Sequence, residues 1–447
     1  MVKENKTLDE RLSLKVLPNG VKCYTVVKRN YRSKYVVVAF NFGGMYNKIR
    51  KGGKIKEIPY GAAHFLEHVM FNDKEINFME EFSKNDALLN AYTNAQSTAY
   101  HFKSIDNSGY STARANDKAS DNFNNCLGLL LGMVSNLYLT DEGIEKEKKI
   151  ITQEIKMYEE YPTWHVYTNM MRGMYFNKGF SANISGDVKD IGLIDRDILS
   201  EAYNSFYNTE NMTIVCIGDI DEDCLLEHIE NKLAESEFNE NKLFEKSPKV
   251  KNNTQAQIVL DEEPDGIKES FIETQMDLGN NIFCLGFKDN SYNEDIVTNI
   301  VSSKILLDIC FGESSAFFNN MYEKGLIDNS FNVDYNNFKF FGNSIFAGVS
   351  KDPKELSKYV LEEIGEVKIK GISDERFSII KNKSIGRFIR EFNVFENISN
   401  ILLDLNTNDL DYIDIASCYE NIDKCSVEAR LAGLKEESSV LSVVRGK

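Results

Sequence analysis

The chain has 447 residues, a length that predicts two or three domains with substantial hydrophobic cores. Hydrophobic residues make up 42% and charged residues 27%, a balance too apolar for general disorder. The 69 Asp and Glu residues outnumber the 52 Lys and Arg residues, so the formal net charge is −17. Because nucleic acids and anionic membranes attract basic surfaces, this charge argues against either as a partner.

The sequence contains no pattern typical of export or membrane insertion. The N-terminal segment lacks the apolar core of a secretory signal, and no stretch of about 18 apolar residues could span a bilayer. The 8 Cys form no CxxC pair, and several lie in apolar runs, where a thiol usually serves as a small core residue. We therefore predict a cytoplasmic protein whose cysteines remain thiols.

The first third of the chain alternates predicted strands and helices. Residues 12–27 predict two strands joined by an Asn-Gly turn, and the continuous apolar run over 35–44 is typical of a buried strand. Helical spacing follows over about 60–71, and two short strands are predicted within 88–105. This order of elements indicates a sheet with helices packed on it.

A long helical region over 122–160 follows. Its second part is strongly amphipathic, with Thr140 placed as the N-cap ahead of two acidic residues. We expect Pro162 to end this helix. A helix, a strand and a further helix then complete the first predicted domain near residue 235.

A polar and charged segment without periodicity, residues 236–256, predicts a linker. We therefore predict an N-terminal domain over 1–235 and a C-terminal domain over 257–447. The last apolar segment of the second half, SVLSVVRG, holds the place that NMTIVCIGD holds in the first half. This echo predicts two copies of one α/β design.

The sharpest chemical signal is the pentapeptide HFLEH, which contains His64, Glu67 and His68. On a helix the two histidines lie one turn apart, and all three side chains project within about 100° of arc. Two imidazoles at this spacing can bind one Zn²⁺ while the carboxylate faces the open coordination position. The order reverses the HExxH signature, which is the inverted zincin pattern. The structural alternative is a pair of ordinary polar histidines in a crevice.

A catalytic zinc site of this kind needs a third protein ligand besides its water. Glu147 and Glu154 lie seven residues apart, on one face of the amphipathic helix, and Glu154 stands between Ile151 and Ile155 on its apolar side. We predict that Glu154 is the third ligand and that Glu147 orients one of the histidines. An exposed position on the helix surface is the alternative for both glutamates.

These motifs and the strand sequence NAYT resemble the pitrilysin/insulinase family of zinc peptidases. Within it the chain is similar to the bacterial processing-peptidase-like branch of the YmfH type. The resemblance implies an α+β fold of two homologous domains, each a mixed β-sheet flanked by helices, which form half of a clam-shell peptidase. It spans most of the chain, through AAHFLEH, SKNDALLNAYTNAQSTAYHF, EKEKKIITQEIKMYEEYPTW, FYNTENMTIVCIGDI and FGESSAFFNNMYEKGLID.

The resemblance implies a chemical role for four side chains. His64, His68 and Glu154 would hold one Zn²⁺ per chain, and Glu67 would be the general base of peptide-bond hydrolysis. The enclosed chamber of such a peptidase would admit peptides and unfolded segments and exclude folded proteins. The resemblance therefore implies a zinc metalloendopeptidase.

The NAYT strand also acquires a role from the resemblance. It would pair with an extended peptide substrate, as an added strand does at a sheet edge. Asn90 and Ala91 would contact the substrate near the scissile bond. The structural alternative is a plain strand followed by a turn.

Two features depart from the family pattern. His68 and Glu154 are 86 positions apart, more than is usual, and we expect the excess to form a polar surface loop over 107–122. Active members also carry an Arg and a Tyr, seven positions apart, that hold the substrate carbonyl. In the matching stretch MYEKGLIDNSF, Tyr322 stands at the Arg position and Asp328 stands near the Tyr position. The loss of one oxyanion donor costs on the order of 10² to 10³ in rate.

The missing pair leads to two hypotheses about how the chain works. The first is a metal-bearing subunit of a dimer, either with a paralogous subunit that supplies the Arg and Tyr or with a second copy of this chain. The second is a non-catalytic subunit that binds peptides or supports assembly and retains a zinc site. Zinc as a simple stabiliser of the fold suits the pattern less well, because structural sites usually have four protein ligands.

Overall fold

The computed structural model of the protein describes residues 2–5, 10–105, 115–235, 257–291, 295–410 and 412–446. The predicted linker, residues 236–256, lies outside these ranges, and the predicted domain boundaries stay predictions. The chain divides into two compact units, each built from more than one segment. Unit 1 comprises Met1–Ile155, Asn183–Leu260 and Phe392–Thr407, and unit 2 comprises Lys156–Ala182, Asp261–Glu391 and Asn408–Lys447.

The elements are numbered in chain order. The strands are β1 Val2–Asn5, β2 Glu10–Val16, β3 Lys22–Val27, β4 Ser33–Phe40, β5 Lys48–Lys51, β6 Lys54–Glu57, β7 Ala87–Thr93, β8 Thr98–Ile105, β9 Met212–Gly218, β10 Gln257–Ile258, β11 Phe271–Gln275, β12 Asn281–Asp289, β13 Asn332–Phe338, β14 Phe341–Ser350 and β15 Ser439–Arg445. The helices are α1 Ala62–Val69, α2 Phe78–Lys84, α3 Ala115–Ser135, α4 Asp141–Glu159, α5 Pro162–Met174, α6 Lys178–Ser181, α7 Val188–Leu193, α8 Arg196–Phe206, α9 Glu222–Glu235, α10 Ile296–Phe311, α11 Ala316–Glu323, α12 Pro353–Lys370, α13 Asp374–Glu391, α14 Phe395–Thr407, α15 Tyr412–Asn421 and α16 Lys424–Ala429. None of the helices in the described ranges is both long enough and apolar enough to cross a membrane.

Unit 1 is built on a seven-stranded mixed sheet with the order β1-β2-β3-β9-β4-β8-β7. β3 and β9 are parallel, and the other neighbouring strands are antiparallel. The chain turns between β2 and β3 at Gly20, whose φ of 93° is one that a residue with a Cβ atom rarely adopts. The central strands β4 and β9 are buried along nearly their whole length, which explains their continuous apolar sequences.

Unit 2 contains a five-stranded mixed sheet with the order β11-β15-β12-β14-β13, in which β11 and β15 are parallel. Five strands of unit 1, in the order β3-β9-β4-β8-β7, share this connectivity and the parallel first pair. β15 therefore holds the place in its sheet that β9 holds in the other, as the echo between the two apolar segments predicts. The predicted α+β fold with two homologous domains is confirmed.

Helices pack on both faces of the unit 1 sheet. α1 contacts β7 and β8, whereas α14, which comes from the second half of the chain, contacts β4 and β9. The Asn406 side chain of α14 donates to Thr213 Oγ1 at 2.9 Å and accepts from Lys22 Nζ at 2.9 Å. The sequence analysis did not detect α14, so the completion of this sheet face is a finding of the structure.

Two local predictions were wrong. Part of the expected surface loop over 107–122 is helical, because α3 begins at Ala115; residues 106–114 lie outside the described ranges. Pro162 does not end α4, which stops at Glu159. It is the first residue of α5, a position that suits proline because the first helical N–H has no partner within the helix.

Candidate functional site

Helix α1 places the HFLEH motif against the sheet of unit 1. The helix starts after Gly61, whose φ is 85° and whose missing side chain leaves room for the Ser185 carbonyl, only 2.5 Å from an ideal Cβ position. His64 is buried, with 8% of its surface exposed. The rings of His64 and His68 lie with their centroids 4.7 Å apart. The helix therefore brings the two imidazoles together, as the i, i+4 spacing predicts.

Glu154 of α4 faces both imidazoles. Its Oε1 lies 3.6 Å from His64 Nε2, and its Oε2 lies 3.5 Å from His68 Nε2. Among the described residues, these three side chains form the only group of three or more His, Cys, Asp or Glu residues close enough to share a metal ion. One ligand atom from each lies within 4.8 Å of the others.

This arrangement suits a zinc ion. With zinc–ligand bonds of about 2.0–2.1 Å, the ligand atoms of a tetrahedral site lie roughly 3.3–3.4 Å apart. Each carboxylate oxygen of Glu154 lies about that far from one imidazole nitrogen, at 3.6 Å for Oε1 and 3.5 Å for Oε2. Two imidazole nitrogens and one carboxylate oxygen are also a donor set that zinc accepts, with one position left for water. The three residues therefore fit the metal that the sequence predicts.

Glu147 lies beside His68, as its position two helical turns before Glu154 predicts. It is buried, with 8% of its surface exposed, and its Oε2 lies 3.3 Å from His68 Nδ1. A carboxylate in this position holds the proton on Nδ1 and leaves Nε2 free to bind a metal. Glu147 thus has the geometry of a residue that orients His68.

Glu67 has a partner that the sequence analysis missed. Thr93, the last residue of β7, donates a hydrogen bond from Oγ1 to Glu67 Oε2 at 2.6 Å. The Thr93 hydroxyl also lies 3.3 Å from Thr98 Oγ1, and that residue in turn donates to the Phe42 carbonyl at 2.8 Å. The NAYT motif was the only sequence feature that could have indicated Thr93, but it led to predicted roles for Asn90 and Ala91 instead. The strand therefore reaches the site through its final side chain.

The environment shifts the pKa values of the two histidines in opposite directions. Burial, reinforced by the nearby charge of His68, lowers the pKa of His64 to about 4. Burial alone would lower the pKa of His68 as well. Hydrogen bonds with Glu147 and Glu154 outweigh it and raise the pKa of His68 to about 9. The two imidazoles of the cluster therefore differ in how readily they accept a proton.

The two carboxylates beside these histidines also differ. The hydrogen bond with His68 lowers the pKa of Glu154, so this carboxyl stays ionised. Burial raises the pKa of Glu67, although the hydrogen bond from Thr93 opposes the change. A raised pKa moves Glu67 toward the range in which a carboxylate both accepts and returns a proton.

Asn90 and Ala91 lie on β7, the strand at one edge of the unit 1 sheet. In the described chain β7 pairs with β8 on one side only. Asn90 is exposed, and its Oδ1 accepts a hydrogen bond from the Ala91 N–H at 2.9 Å. An edge strand offers backbone groups to an added strand, so this location is compatible with the predicted substrate contacts.

Tyr322 and Asp328 each have a local contact within unit 2. Tyr322 is 48% exposed, and its ring stacks on Phe318 with the centroids 6.1 Å apart. Asp328 accepts hydrogen bonds from the backbone N–H of Ser330 at 2.8 Å and from its hydroxyl at 2.5 Å. Neither side chain supplies the positive charge that an arginine would bring.

Two family models match this chain. The family model described as insulinase (peptidase family M16) matches residues 51–187, and the model described as peptidase M16 inactive domain matches 194–384. The chain belongs to the M16 family. The resemblance predicted from the motifs is thereby confirmed.

Three individual relatives illustrate the similarity. The chain is 28% identical to the uncharacterized zinc protease YmfH of Bacillus subtilis (strain 168), over 94% of this chain and 92% of that protein. It matches the crystal structure of a putative M16-like peptidase from Alicyclobacillus acidocaldarius with a TM-score of 0.87 at 26% identity, over 100% of both chains. It is 24% identical to the mitochondrial-processing peptidase subunit beta of Saccharomyces cerevisiae, over 47% of this chain and 42% of that protein.

Proposed function

We propose that this M16 family member is a zinc-dependent endopeptidase that acts as the metal-bearing subunit of a dimer. The observation that carries the proposal is the convergence of His64, His68 and Glu154, with one ligand atom from each within 4.8 Å of the others, beside the half-buried Glu67. A relative named as a zinc protease, which matches nearly the whole chain, supports the choice of metal and reaction.

The proposed reaction is hydrolysis of a peptide bond. A zinc ion bound to the three side chains would polarise the scissile carbonyl and lower the pKa of a bound water. Glu67 would take the proton from that water and later pass it to the leaving amine. Thr93 would hold the carboxylate of Glu67 in position through its hydrogen bond of 2.6 Å. Asn90 and Ala91 would bind the extended substrate along the edge of β7.

We include a dimer in the proposal because this chain lacks the expected Arg and Tyr. A paralogous subunit, giving a heterodimer, would supply them, whereas both chains of a homodimer would carry Tyr322 and Asp328 at these positions. The yeast relative is named as a subunit of its peptidase, which supports this arrangement. An enclosed chamber would then admit peptides and unfolded segments. A cytoplasmic location would keep the free cysteines reduced.

The decisive experiment measures zinc content and peptide cleavage on the same preparations. We expect one zinc per chain in the wild type and in Glu67→Gln, and loss of the metal in His64→Ala and Glu154→Ala. Cleavage of a quenched-fluorescent peptide library should fall by about 10² to 10⁴ in Glu67→Gln. Full activity in zinc-loaded Glu67→Gln would refute the role of this residue.

The same assay tests the dimer. If the zinc-loaded wild type cleaves only after a paralogous chain that carries the Arg and Tyr is added, the subunit proposal is supported. Cleavage by a monomer of this chain alone would contradict it.

The second candidate is a non-catalytic peptide-binding or assembly subunit. The stretch MYEKGLIDNSF favours it, because Tyr322 and Asp328 replace the expected Arg and Tyr there. This alternative would be established if the chain binds zinc and peptide but cleaves no peptide, whichever partner is added, and if the Glu67→Gln variant behaves identically.

A further inference from the structure

A strongly basic hairpin stands out on the surface of unit 1. Strands β5 and β6 are antiparallel and are joined by the residues Gly52 and Gly53. The hairpin contains only one carboxylate, that of Glu57, and five cationic side chains, those of Lys48, Arg50, Lys51, Lys54 and Lys56. The chain as a whole, by contrast, has a net charge of −17.

The hairpin extends into solvent. Gly52 and Gly53 have φ values of 58° and 79°, and two consecutive left-handed residues make the tight turn that joins twisted antiparallel strands. No described atom lies within 4 Å of the Cβ position of either glycine. All four residues of β6 are exposed. The cationic side chains are therefore accessible to a partner.

The positive charges on the hairpin are only partly compensated, and Lys48 Nζ lies 4.0 Å from Glu57 Oε1. Lys51 and Lys54 are directly opposite each other across the two strands, a like-charge pairing that costs stability. Lys51 and Lys56 share one carboxylate, that of Glu201 in α8, whose Oε1 lies 3.4 Å from Lys51 Nζ and whose Oε2 lies 3.5 Å from Lys56 Nζ. Within the described ranges, no carboxylate lies within ion-pair distance of Arg50 or Lys54.

Protection of a sheet edge explains only part of this pattern. Lysines on an edge strand discourage unwanted pairing, and β6 is an edge strand of the three-stranded sheet with the order β10-β5-β6. β5, however, is the central strand and pairs on both sides. Of its three cations, Lys48 pairs with Glu57 and Lys51 pairs with Glu201, so Arg50 is the charge that neither edge protection nor a described ion pair explains.

We propose that this hairpin binds an acidic segment of an extended polypeptide substrate, which lies alongside β6 as an added strand. In the described chain β6 pairs with β5 alone, so its outer edge offers backbone N–H and C=O groups that a peptide can use. Lys54 and Lys56 lie two positions apart on β6, so they project from the same face and supply the charges that attract carboxylates. A phosphodiester backbone cannot use the edge in this way, and the net charge of −17 repels a nucleic acid.

The position of the hairpin connects it with the candidate site. β6 ends at Glu57, and α1, which carries His64, begins at Ala62. As a statement about substrates, the inference rests on the proposed peptidase function. As a statement about binding, it does not, because neither zinc nor Glu67 takes part in it.

The test measures peptide binding by fluorescence anisotropy with the full chain in a Glu67→Gln background, which prevents hydrolysis. The probes are two fluorescein-labelled peptides of about ten residues, long enough to form a strand, one with alternating Glu and Thr and one with Gln in place of Glu. At low ionic strength the Glu peptide should bind about tenfold more tightly. This difference should vanish near 1 M salt, where the screening length is about 3 Å.

The variant Lys54→Gln/Lys56→Gln should weaken binding of the Glu peptide by about three- to tenfold and leave the Gln peptide unaffected. The matched control is Lys351→Gln/Lys358→Gln, which removes two exposed lysines of unit 2 and should change neither affinity. Circular dichroism melting curves should coincide for all three proteins.

Three results would overturn the proposal: equal affinity for the two peptides, equal weakening by the control variant, or tighter hairpin-dependent binding of an oligonucleotide of the same charge. If peptide hydrolysis stays absent even after the Arg- and Tyr-bearing partner chain is added, while the Glu peptide still binds through Lys54 and Lys56, the proposed function fails and the binding site stands. If peptides are hydrolysed but the Glu peptide binds no more tightly than the Gln peptide, the proposed function stands and the binding site fails.

Discussion

Each unit contains a polar cluster with buried charged groups, and the two clusters differ in how closely those groups are hydrogen-bonded. In unit 2 the guanidinium of Arg430 forms an ion pair with Asp289, and the Tyr335 hydroxyl donates to the same carboxylate at 2.5 Å. The other donors of the guanidinium bind three neutral oxygens at 2.8–3.0 Å, those of Ser303, Ser291 and Asn299.

The cluster in unit 1 is looser. Its contacts between imidazole nitrogens and carboxylate oxygens measure 3.3–3.6 Å, and His64 Nδ1 is buried without a hydrogen-bond partner in the described chain. A buried charged group with a hydrogen-bond partner for each of its donors stabilises one conformation. Nitrogen and oxygen atoms that converge on one point at distances too long for strong hydrogen bonds suit a bound cation instead. The comparison therefore separates a structural cluster from a candidate site, and three substitutions test it.

The largest effect on stability is expected at Asp289. Removal of one partner from a buried ion pair leaves an uncompensated charge, so Asp289→Asn should lower the free energy of unfolding by about 3–5 kcal/mol. The matched control is Asp409→Asn, which breaks an exposed ion pair with Lys339 and keeps a residue that tolerates the φ of 56°. Urea unfolding of both variants is the measurement, and equal small changes would contradict the assigned structural role.

The same pair predicts a dependence on pH. Burial alone would raise the pKa of Asp289, but the charge of Arg430 and hydrogen bonds outweigh it and hold the pKa below its usual value. The ion pair therefore contributes its full stability above about pH 4, the pKa of an unfolded Asp, and loses it as the pH falls through the lower folded pKa. Asp289→Asn should lack this acid-dependent part of the unfolding curve.

A smaller effect is expected at Glu147 in unit 1. Loss of a residue that orients a metal ligand usually weakens metal affinity by about 10–100-fold, so Glu147→Ala should bind zinc more weakly by that factor. Glu145→Ala is the control on the same helix, because Glu145 is exposed and pairs only with Lys148 among the described cations. Competition with a chromophoric chelator measures both affinities. Equal zinc affinity in the two variants would show that Glu147 does not support His68.

The smallest effect is expected at Thr93. Thr93→Val keeps the shape of the side chain but removes the hydrogen bond to Glu67, so kcat should fall roughly fivefold, equivalent to about 1 kcal/mol. Zinc content should stay unchanged. Thr93→Ser retains the hydroxyl and should restore kcat, whereas a purely structural role would change KM or the melting temperature instead. Steady-state kinetics on a cleaved library peptide distinguish these outcomes.

Local patterns predicted much of this molecule because their causes are local. The i, i+4 spacing of His64 and His68 fixes a shared face of α1 whatever the rest of the chain does. The apolar runs of β4 and β9 indicate burial on both faces, which the structure confirms. Pro162 misled the sequence analysis because proline both follows helices and starts them.

Long-range contacts could not be predicted in the same way. Thr93 has the pattern of any strand threonine, and only the packing of β7 beside α1 places its hydroxyl against Glu67. Helix α14 has an amphipathic sequence, but nothing in that sequence says which sheet it covers. Such contacts depend on which pairing of distant segments buries the most apolar surface, a quantity that belongs to the whole chain.

The sequence by itself determined the family, the two-fold repeat of the α+β design and the histidine pair, because periodicity and motif spacing are properties of neighbouring residues. The tertiary structure alone decided that Glu154 faces both imidazoles, that Glu147 reaches His68 Nδ1, and that unit 1 includes residues 392–407. These outcomes follow from the packing of α4 and α14 against distant elements, which no local pattern encodes.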